Sequence, residues 1–222
     1  YEGELPLVPP TAGADYSKFL KFMTLVDNHR TMGVRANADN PEDAQRAREF
    51  GAEGIGLFRT EHMFYGTGSA QPLFLLRKMI LCVDSKDRIS VRKELFPAMK
   101  NDIKQTMKVM GEYPVTVRLL DPPLHEFVPH SKTGRMELSR ALNVAEDEIV
   151  KRIDSLAESN PMMGHRGVRL SVTYPEITEF QVRAIFQAAA EISVEENQKV
   201  VPEIMVPVTC DVRELRYVAD IV

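Results

Sequence analysis

The sequence contains few cysteines and no long apolar run. Its two cysteines, Cys82 and Cys210, are far apart and form no C-x-x-C pair. This spacing predicts neither a disulfide framework nor a zinc site, and it favours a reducing compartment. No stretch approaches the roughly 20 apolar residues of a membrane span, and the first residues lack the profile of a secretory signal. We therefore expect an intracellular protein without a membrane partner, in the cytosol or in an organelle such as a plastid or glycosome.

Basic runs and phosphate-binding loops are also missing. The formal net charge is -4 and no basic run occurs, which argues against nucleic acid as a partner. A glycine-rich loop of the Rossmann or P-loop type is absent, so no nucleotide site is predicted in this stretch. The histidines show no metal-ligand spacing on a helix, and we predict no metal site within the segment.

Apolar strand-like segments alternate with helical periodicity along most of the chain. Strands are predicted at 32–39, 54–64, 114–121, 160–170 and 201–210. The segments between them are predicted to be helical, with Pro97 marking a break in one helix. The alternation predicts an α/β fold with parallel strands joined by crossovers. The strand count alone allows either an open doubly wound sheet or an incomplete (β/α)8 TIM barrel with about its first five strand-helix units.

Three predicted strands carry an arginine towards their carboxyl ends. These residues are Arg59 in GLFRTEH, Arg118 in TVRLLDPP and Arg166 in GHRGVRL. Strand carboxyl ends form the functional face of parallel α/β folds, and a guanidinium offers a fork of donors that matches a phosphate or carboxylate. Burying three cations side by side is costly unless an anion arrives. The pattern therefore predicts an oxyanion-binding site.

A structural explanation of the same arginines competes with this one. Each could pair with a nearby acid, such as Glu61, Asp121 or Glu203, and only stabilise loops. Taken singly, any one of the arginines fits that explanation better. Arg35 is a weaker candidate for the site because it lies early in its strand, where a structural partner role fits at least as well.

Four motifs, in this order, are similar to one family: ADNPEDAQRAREFGAEGIGLFRTEHMF, VRLLDPPLHEFVP, NPMMGHRGVRL and PEIMVP. From about Arg35 onwards, the chain resembles the C-terminal domain of the pyruvate phosphate dikinase family. The RTE and NP-x-x-G-x-R motifs are also similar to those of phosphotransferase-system enzyme I and phosphoenolpyruvate synthase. The DPPLHEF run resembles the dikinase alone and disfavours the other two.

The resemblance implies a barrel that exchanges a phosphoryl group between a histidine on a swivelling domain and the enolate oxygen of pyruvate. The overall reaction of that family converts ATP, phosphate and pyruvate to AMP, pyrophosphate and phosphoenolpyruvate. Matched by motif, Arg59 and Arg118 hold the transferring phosphoryl group, and Arg166 assists as a third substrate-binding residue. Asp121, three residues after Arg118, is expected to orient that arginine.

The same resemblance places other functional groups of the family outside this chain. The Mg²⁺ ligands and the proton-donating cysteine are expected beyond Val222, and the phosphohistidine and ATP-binding domain before Tyr1. We therefore expect no catalytic residue and no metal ligand in this segment, which would be inactive alone. Residues 1–14 are similar to the end of the phosphohistidine domain and a linker, and residues 15–222 to the first part of the barrel. Residues 66–74 depart from the family pattern.

Two functions fit these observations. In the first, the chain is part of a dikinase that binds phosphoenolpyruvate and pyruvate, works with a phosphohistidine domain of the same polypeptide, uses Mg²⁺ and forms a homodimer at full length. In the second, it is a non-catalytic anion-binding or interaction module with the same half barrel. The two differ in whether further strand-helix units with acidic metal ligands follow Val222.

Overall fold

The computed structural model describes residues 14–65, 69–82 and 85–222. The chain divides into two compact units, Tyr1–Val34 and Arg35–Val222. The described part of the first unit consists of helix α1 (Ala14–Asp27) and the residues that follow it. The linker predicted in residues 1–14 lies, apart from Ala14, outside the described residues, as do residues 66–68 of the 66–74 segment. The domain boundary after residue 14 stays a prediction.

The second unit alternates strands with helices. In chain order its elements are β1 (Ala36–Asn37), α2 (Pro41–Glu49), β2 (Ile55–Arg59), α3 (Ala70–Leu81), α4 (Ser85–Met110), β3 (Val115–Arg118), α5 (Leu124–Phe127), α6 (Lys132–Leu142), α7 (Glu146–Ser155), α8 (Val168–Thr173), α9 (Pro175–Glu195), β4 (Pro202–Met205) and α10 (Val212–Ile221). Short 3-10 helices occupy Thr60–Phe64 and Pro161–Met163. No helix in the described residues is long and apolar enough to cross a membrane.

Local sequence signals explain where two of the helices begin. At the start of α2, the Asn40 side chain accepts a hydrogen bond from the backbone N–H of Asp43, and a proline occupies the first helical position. At the start of α10, Asp211 and Glu214 form a complete capping box. These caps satisfy backbone donors that the first turn of a helix leaves without intrahelical partners.

The sheet has the order β1-β2-β3-β4 within the described residues, and every neighbouring pair is parallel. Along β3, Val115 and Val117 are buried, whereas Thr116 and Arg118 are only partly buried. This alternation means that helices cover one face of the sheet more fully than the other. The α/β class is confirmed, and the parallel sheet with outer helices is consistent with part of a (β/α)8 barrel.

The predicted fourth strand, residues 160–170, is wrong. This segment forms the 3-10 helix at Pro161–Met163, a turn and the start of α8. β3 instead pairs directly with β4, and Leu119 N donates to Met205 O at 3.0 Å just beyond the ladder. No ladder position remains between β3 and β4, so the described sheet has four strands and not five.

The break predicted at Pro97 is also wrong, because α4 runs unbroken from Ser85 to Met110 with this proline inside it. Leu95 and Met99, on either side of Pro97, are almost completely buried. A proline inside a helix costs about 3 kcal/mol. The free energy gained by burying two large apolar side chains is of the same order as this cost. This gain explains why the helix continues through the proline.

The main hydrophobic core lies between the sheet and the helices α4 and α9. Ile55 and Val117 from the strands share one buried cluster with Ile103 of α4 and with Ile185 and Ala188 of α9. α4 packs on α9, α3 and α2, so this long helix connects the outer layer. The core thereby holds the strands in register from one side, and the carboxyl edge of the sheet is left to polar side chains.

Candidate functional site

Arg59 and Arg118 lie next to each other at the carboxyl edge of the sheet. They are register partners in the parallel β2–β3 pair, and each is the last residue of its strand. Sequence reasoning predicted both at strand ends, and the strand pairing brings them together. Paired residues of parallel strands point to the same face, so two guanidinium groups lie side by side at this edge.

Asp39, just after β1, holds Arg59 in place. Its Oδ1 accepts the Arg59 backbone N–H at 2.8 Å, and its Oδ2 accepts Nη1 of the same arginine at 2.8 Å. The Nδ1 atom of His62 lies 3.1 Å from the same Oδ2. One carboxylate thus fixes both the main chain and the side chain of Arg59. The Asp39 carboxylate accepts a side-chain hydrogen bond only from Nη1 of Arg59. The Nε and Nη2 atoms of the same guanidinium can therefore donate to a bound anion.

Arg118 lies between two carboxylates. Its Nη2 donates to Oε1 of Glu61, which lies two residues beyond the end of β2, and its Nη1 lies 3.6 Å from Oδ2 of Asp121. Among the described residues, Nε of Arg118 and Oε2 of Glu61 are buried atoms without a hydrogen-bond partner. A buried donor without a hydrogen-bond partner is costly and needs a physical explanation, such as a bound water or ion.

Arg166 reaches the same cluster from a loop and not from a strand. Its Nε donates to Oδ1 of Asp121 at 2.7 Å, and its Nη2 donates to Oδ2 at 3.0 Å and to the backbone oxygen of Asp121 at 3.1 Å. The Asp121 side chain is 4% exposed. Asp121 therefore touches Arg118 and Arg166 together, and its shorter contacts are with Arg166.

Gly167 allows this close approach. Its φ is +57°, and a Cβ atom built there would lie 2.9 Å from the backbone oxygen of Pro207 and 3.1 Å from Oδ1 of Asp121. The backbone N–H of Val168 also donates to the Pro207 oxygen at 3.0 Å. The glycine thus lets the loop that carries Arg166 lie against the end of β4 and against Asp121.

Arg35, the weaker candidate, lies at the other end of the strands. Its Nη1 donates to Oε2 of Glu203 at 2.5 Å and to Oγ1 of Thr116 at 3.3 Å, and its Nη2 donates to Oε1 of Glu203 at 3.1 Å. The Arg35 side chain lies against Gly56 of β2, because a Cβ added at this glycine would lie 3.3 Å from the Arg35 Cβ. Hydrogen bonds from Arg35 and then Thr116 lower the pKa of the Glu203 carboxyl. The hydrogen bond to Glu203 raises the pKa of Arg35.

Sequence reasoning missed some residues of this cluster. Asp39 was not singled out, because its contact with Arg59 depends on the pairing of β1 with β2. Glu61 was considered only as a structural partner. Thr60 and Gln181, which are buried and lie behind the arginines, were also missed. Asp39 follows the end of β1, close to the strand ends that carry Arg59 and Arg118. This position was the signal in the sequence that could have identified it.

The cluster does not provide a metal site. Across residues 14–65, 69–82 and 85–222, no group of three or more His, Cys, Asp or Glu side chains is placed to hold a metal ion. The carboxylates of Asp39, Glu61 and Asp121 each bind an arginine. The residues present therefore do not fit a magnesium site, and we assign none of them to the metal.

The fold and the cluster together define an α/β protein whose parallel sheet presents neighbouring arginines at its carboxyl edge. Such an edge is where (β/α)-barrel proteins carry their functional residues. Residues 14–222 match the family model of the PEP-utilising enzyme, PEP-binding domain. The chain belongs to this family.

Curated relatives agree with the family match. The chain is 47% identical over 204 residues to a pyruvate, phosphate dikinase of Clostridium symbiosum. This alignment covers 92% of the chain and 23% of that relative. It is 48% identical over 215 residues to a chloroplastic pyruvate, phosphate dikinase of Mesembryanthemum crystallinum, covering 96% of the chain and 22% of the relative. A relative from Rhizobium meliloti (strain 1021) is 45% identical over 217 residues. The chain spans about a quarter of the length of these relatives.

Proposed function

We propose that this chain forms the phosphoenolpyruvate/pyruvate-binding part of a pyruvate phosphate dikinase. The full enzyme converts ATP, phosphate and pyruvate to AMP, pyrophosphate and phosphoenolpyruvate through a phosphohistidine. The observation that carries the proposal is the register pairing of Arg59 with Arg118 at the carboxyl edge of the sheet. Two planar guanidinium groups at this position suit the equatorial oxygens of a phosphoryl group.

In this proposal, Arg59 and Arg118 hold the transferring phosphoryl group. Phosphoryl transfer is mostly positioning together with neutralisation of charge on the equatorial oxygens. Arg59 offers the nitrogens that Asp39 does not use, and Arg118 contributes the positive charge of a guanidinium held between Glu61 and Asp121. Arg166 assists from the other side of Asp121, with which it forms an ion pair. No residue of this chain is proposed to form a covalent intermediate or to transfer a proton.

The acids of the cluster orient the arginines before the substrate arrives. Asp39, Glu61 and Asp121 offset the charges of Arg59, Arg118 and Arg166, so burying the cations costs less in the free protein. Each guanidinium is then held in one direction by its acid, and little reorganisation is needed on binding. In this proposal Asp121 takes the orienting role predicted from the sequence, and its contacts with Arg166 support extending that role from Arg118 to Arg166.

The remaining partners follow from the proposed enzyme. Residues 1–14 are proposed to end a phosphohistidine domain of the same polypeptide and its linker, and residues 15–222 to begin the barrel. The full protein is proposed to be an intracellular homodimer in a reducing compartment. Magnesium is proposed to act with ligands outside this chain, and we derive no step through it. For Arg35, the contact with Glu203 supports a structural role over a role in binding.

Phosphoenolpyruvate-dependent phosphorylation of the full-length protein tests the proposal. We would compare the unaltered protein with Arg59→Ala, Arg118→Ala and the control Arg183→Ala, whose arginine pairs with Glu179 on an exposed part of α9. Loss of this half-reaction in the first two variants, with the ATP half-reaction and the control intact, is the expected result. Full retention in both variants would reject the proposed site.

The same assay separates the enzyme from a non-catalytic anion-binding module. Such a module would use the same neighbouring arginines at the carboxyl edge of the sheet. It would bind phosphoenolpyruvate through the same arginines, without any phosphorylation of the unaltered full-length protein. Binding without phosphorylation would therefore replace the enzyme proposal with the module.

A further inference from the structure

Gln181 is a buried amide in the interior of the helix layer. It lies on α9, and only 2% of its surface is exposed. Burying an amide is costly unless its donor and its acceptor are both hydrogen-bonded. Both groups are satisfied here, and the partners belong to the ends of β2 and β3.

The amide connects these strand ends through a short chain of hydrogen bonds. The Oε1 atom of Gln181 accepts the backbone N–H of Leu120 at 3.0 Å, and its Nε2 donates to Oγ1 of Thr60 at 3.1 Å. The Thr60 hydroxyl in turn donates to the backbone oxygen of Arg118 at 3.1 Å. Because the Leu120 N–H can only donate, the amide has one orientation that satisfies every group.

These contacts lie next to the residues of the arginine cluster in sequence. Thr60 stands between Arg59 and Glu61, and Leu120 immediately precedes Asp121. The backbone oxygen of Arg118 belongs to a cluster residue itself. A shift of Gln181 would therefore move the strand end that carries Arg59 and Glu61 relative to the one that carries Arg118 and Asp121.

We propose that Gln181, acting through Thr60, is a positioning residue that sets the spacing between the Arg59 and Arg118 strand ends for phosphoryl transfer. The inference rests on the proposed function of these arginines. Gln181 and Thr60 act through the ends of β2 and β3, to which they are hydrogen-bonded. A displacement of about 1 Å in a reacting geometry can cost about 100-fold in rate, so a hydrogen-bonded spacer behind the site has a measurable effect.

The experiment uses the full-length protein and four variants. Gln181→Leu removes both amide contacts at similar size, and Thr60→Val removes the hydroxyl but keeps the shape. Thr60→Ser keeps a hydroxyl that can donate and accept, and serves as the conservative variant. Ser193→Ala is the matched control. Ser193 also lies on α9, 12 residues after Gln181, and its hydroxyl donates to the backbone oxygen of Ala189 at 2.8 Å.

For each variant we would measure kcat and KM for phosphoenolpyruvate in the phosphorylation half-reaction, the rate of the ATP half-reaction, and the melting temperature. We expect kcat to fall by about 10-fold or more in Gln181→Leu and Thr60→Val, with a smaller change in KM. Thr60→Ser and Ser193→Ala should stay near the unaltered protein. The ATP half-reaction, which depends on other parts of the protein, should persist, and the melting temperature shows whether each variant remains folded.

The outcomes distinguish this inference from the proposed function. If Arg59→Ala and Arg118→Ala abolish the half-reaction while Gln181→Leu and Thr60→Val behave like Ser193→Ala, the positioning role is overturned and the site remains. A fall in melting temperature without a change in kcat would also overturn it, since the amide would then serve stability alone. If the arginine variants are active, the proposed function itself fails.

Discussion

Asp121 joins Arg118 and Arg166, two arginines that are 48 residues apart in sequence and come from different structural elements. Its Oδ2 atom lies 3.6 Å from Nη1 of Arg118 and 3.0 Å from Nη2 of Arg166. A single buried carboxylate thus couples the end of β3 to the loop before α8. We therefore expect both the chemistry of the proposed site and its stability to depend on this residue.

Replacing Asp121 with asparagine tests that coupling. The substituted side chain would keep the size of the original but would place an amide donor against guanidinium donors, and the partly buried Arg166 would lose the counter-charge of Asp121. We expect Asp121→Asn to lower the free energy of unfolding by about 3 kcal/mol and to reduce phosphoenolpyruvate-dependent phosphorylation. Urea unfolding and the half-reaction would measure the two effects. Glu179→Gln, which alters an exposed pair with Arg183, should change stability by less than about 1 kcal/mol; equal losses in both variants would contradict the coupling.

Replacing Arg118 with lysine separates charge from geometry. Lysine keeps the positive charge but offers a single ammonium in place of the fork that serves Glu61 and Asp121 together. We expect Arg118→Lys to lose at least about 10-fold in the phosphoenolpyruvate half-reaction, with the ATP half-reaction unchanged. The same change at the exposed Arg183 should have no effect on either half-reaction. Near-normal activity of Arg118→Lys would mean that charge alone suffices.

Two glycines allow steric clash to be separated from backbone strain. Both Gly51 and Gly167 have positive φ, +86° and +57°, but only Gly167 has atoms within 4 Å of an added Cβ. We expect Gly51→Ala to destabilise the protein by about 1 kcal/mol from strain alone. Gly167→Ala should destabilise it further, because the Cβ would meet the Pro207 oxygen and Oδ1 of Asp121. Urea unfolding of both variants provides the comparison. Equal losses of unfolding free energy would show that the loop at Gly167 moves enough to relieve the steric clash.

The pair of Arg35 with Glu203 predicts a pH-dependent stability. The hydrogen bond from Arg35 lowers the pKa of Glu203 in the folded protein. A lowered carboxyl pKa contributes stability above the unfolded value of about 4.3, and that contribution is lost as the pH falls through the folded value. The difference in unfolding free energy between the unaltered protein and Glu203→Gln should therefore be largest near neutral pH and shrink below about pH 4.

Urea unfolding at a series of pH values would measure that difference. Arg35→Met is the companion variant, because it removes the largest cause of the lowered pKa and leaves Thr116 as a partner of Glu203. It should reduce the pH dependence in the same range. Stability curves of the unaltered protein and Glu203→Gln that run parallel at all pH values would show that the pair contributes no pH-dependent stability. Both side chains are more than a third exposed, so the effect is expected to be small.

Strand pairing explains the largest difference between the sequence prediction and the structure. Residues 160–170 have apolar side chains and glycines that are typical of a short strand, but strand formation needs a neighbour with free ladder positions. β3 pairs directly with β4, so this segment has no place between them, where its order in the chain would put it, and it forms helical turns that lead into α8. The neighbour of a strand is a property of the whole chain and not of a local window.

The sequence by itself determined what depends on near neighbours along the chain. The caps at Asn40 and Asp211, the alternation of strands and helices, and the arginines at the ends of β2 and β3 all follow from local patterns. These features rest on hydrogen bonds and periodicities within a few residues.

Only the tertiary structure decided which residues meet across the sheet. The hold of Asp39 on Arg59, the position of Arg166 beside Asp121 and the link from Gln181 to Thr60 join residues 20 to 121 positions apart. Such contacts form because burial of the apolar faces brings distant strands and helices together, and polar groups that are carried inside must then find partners there.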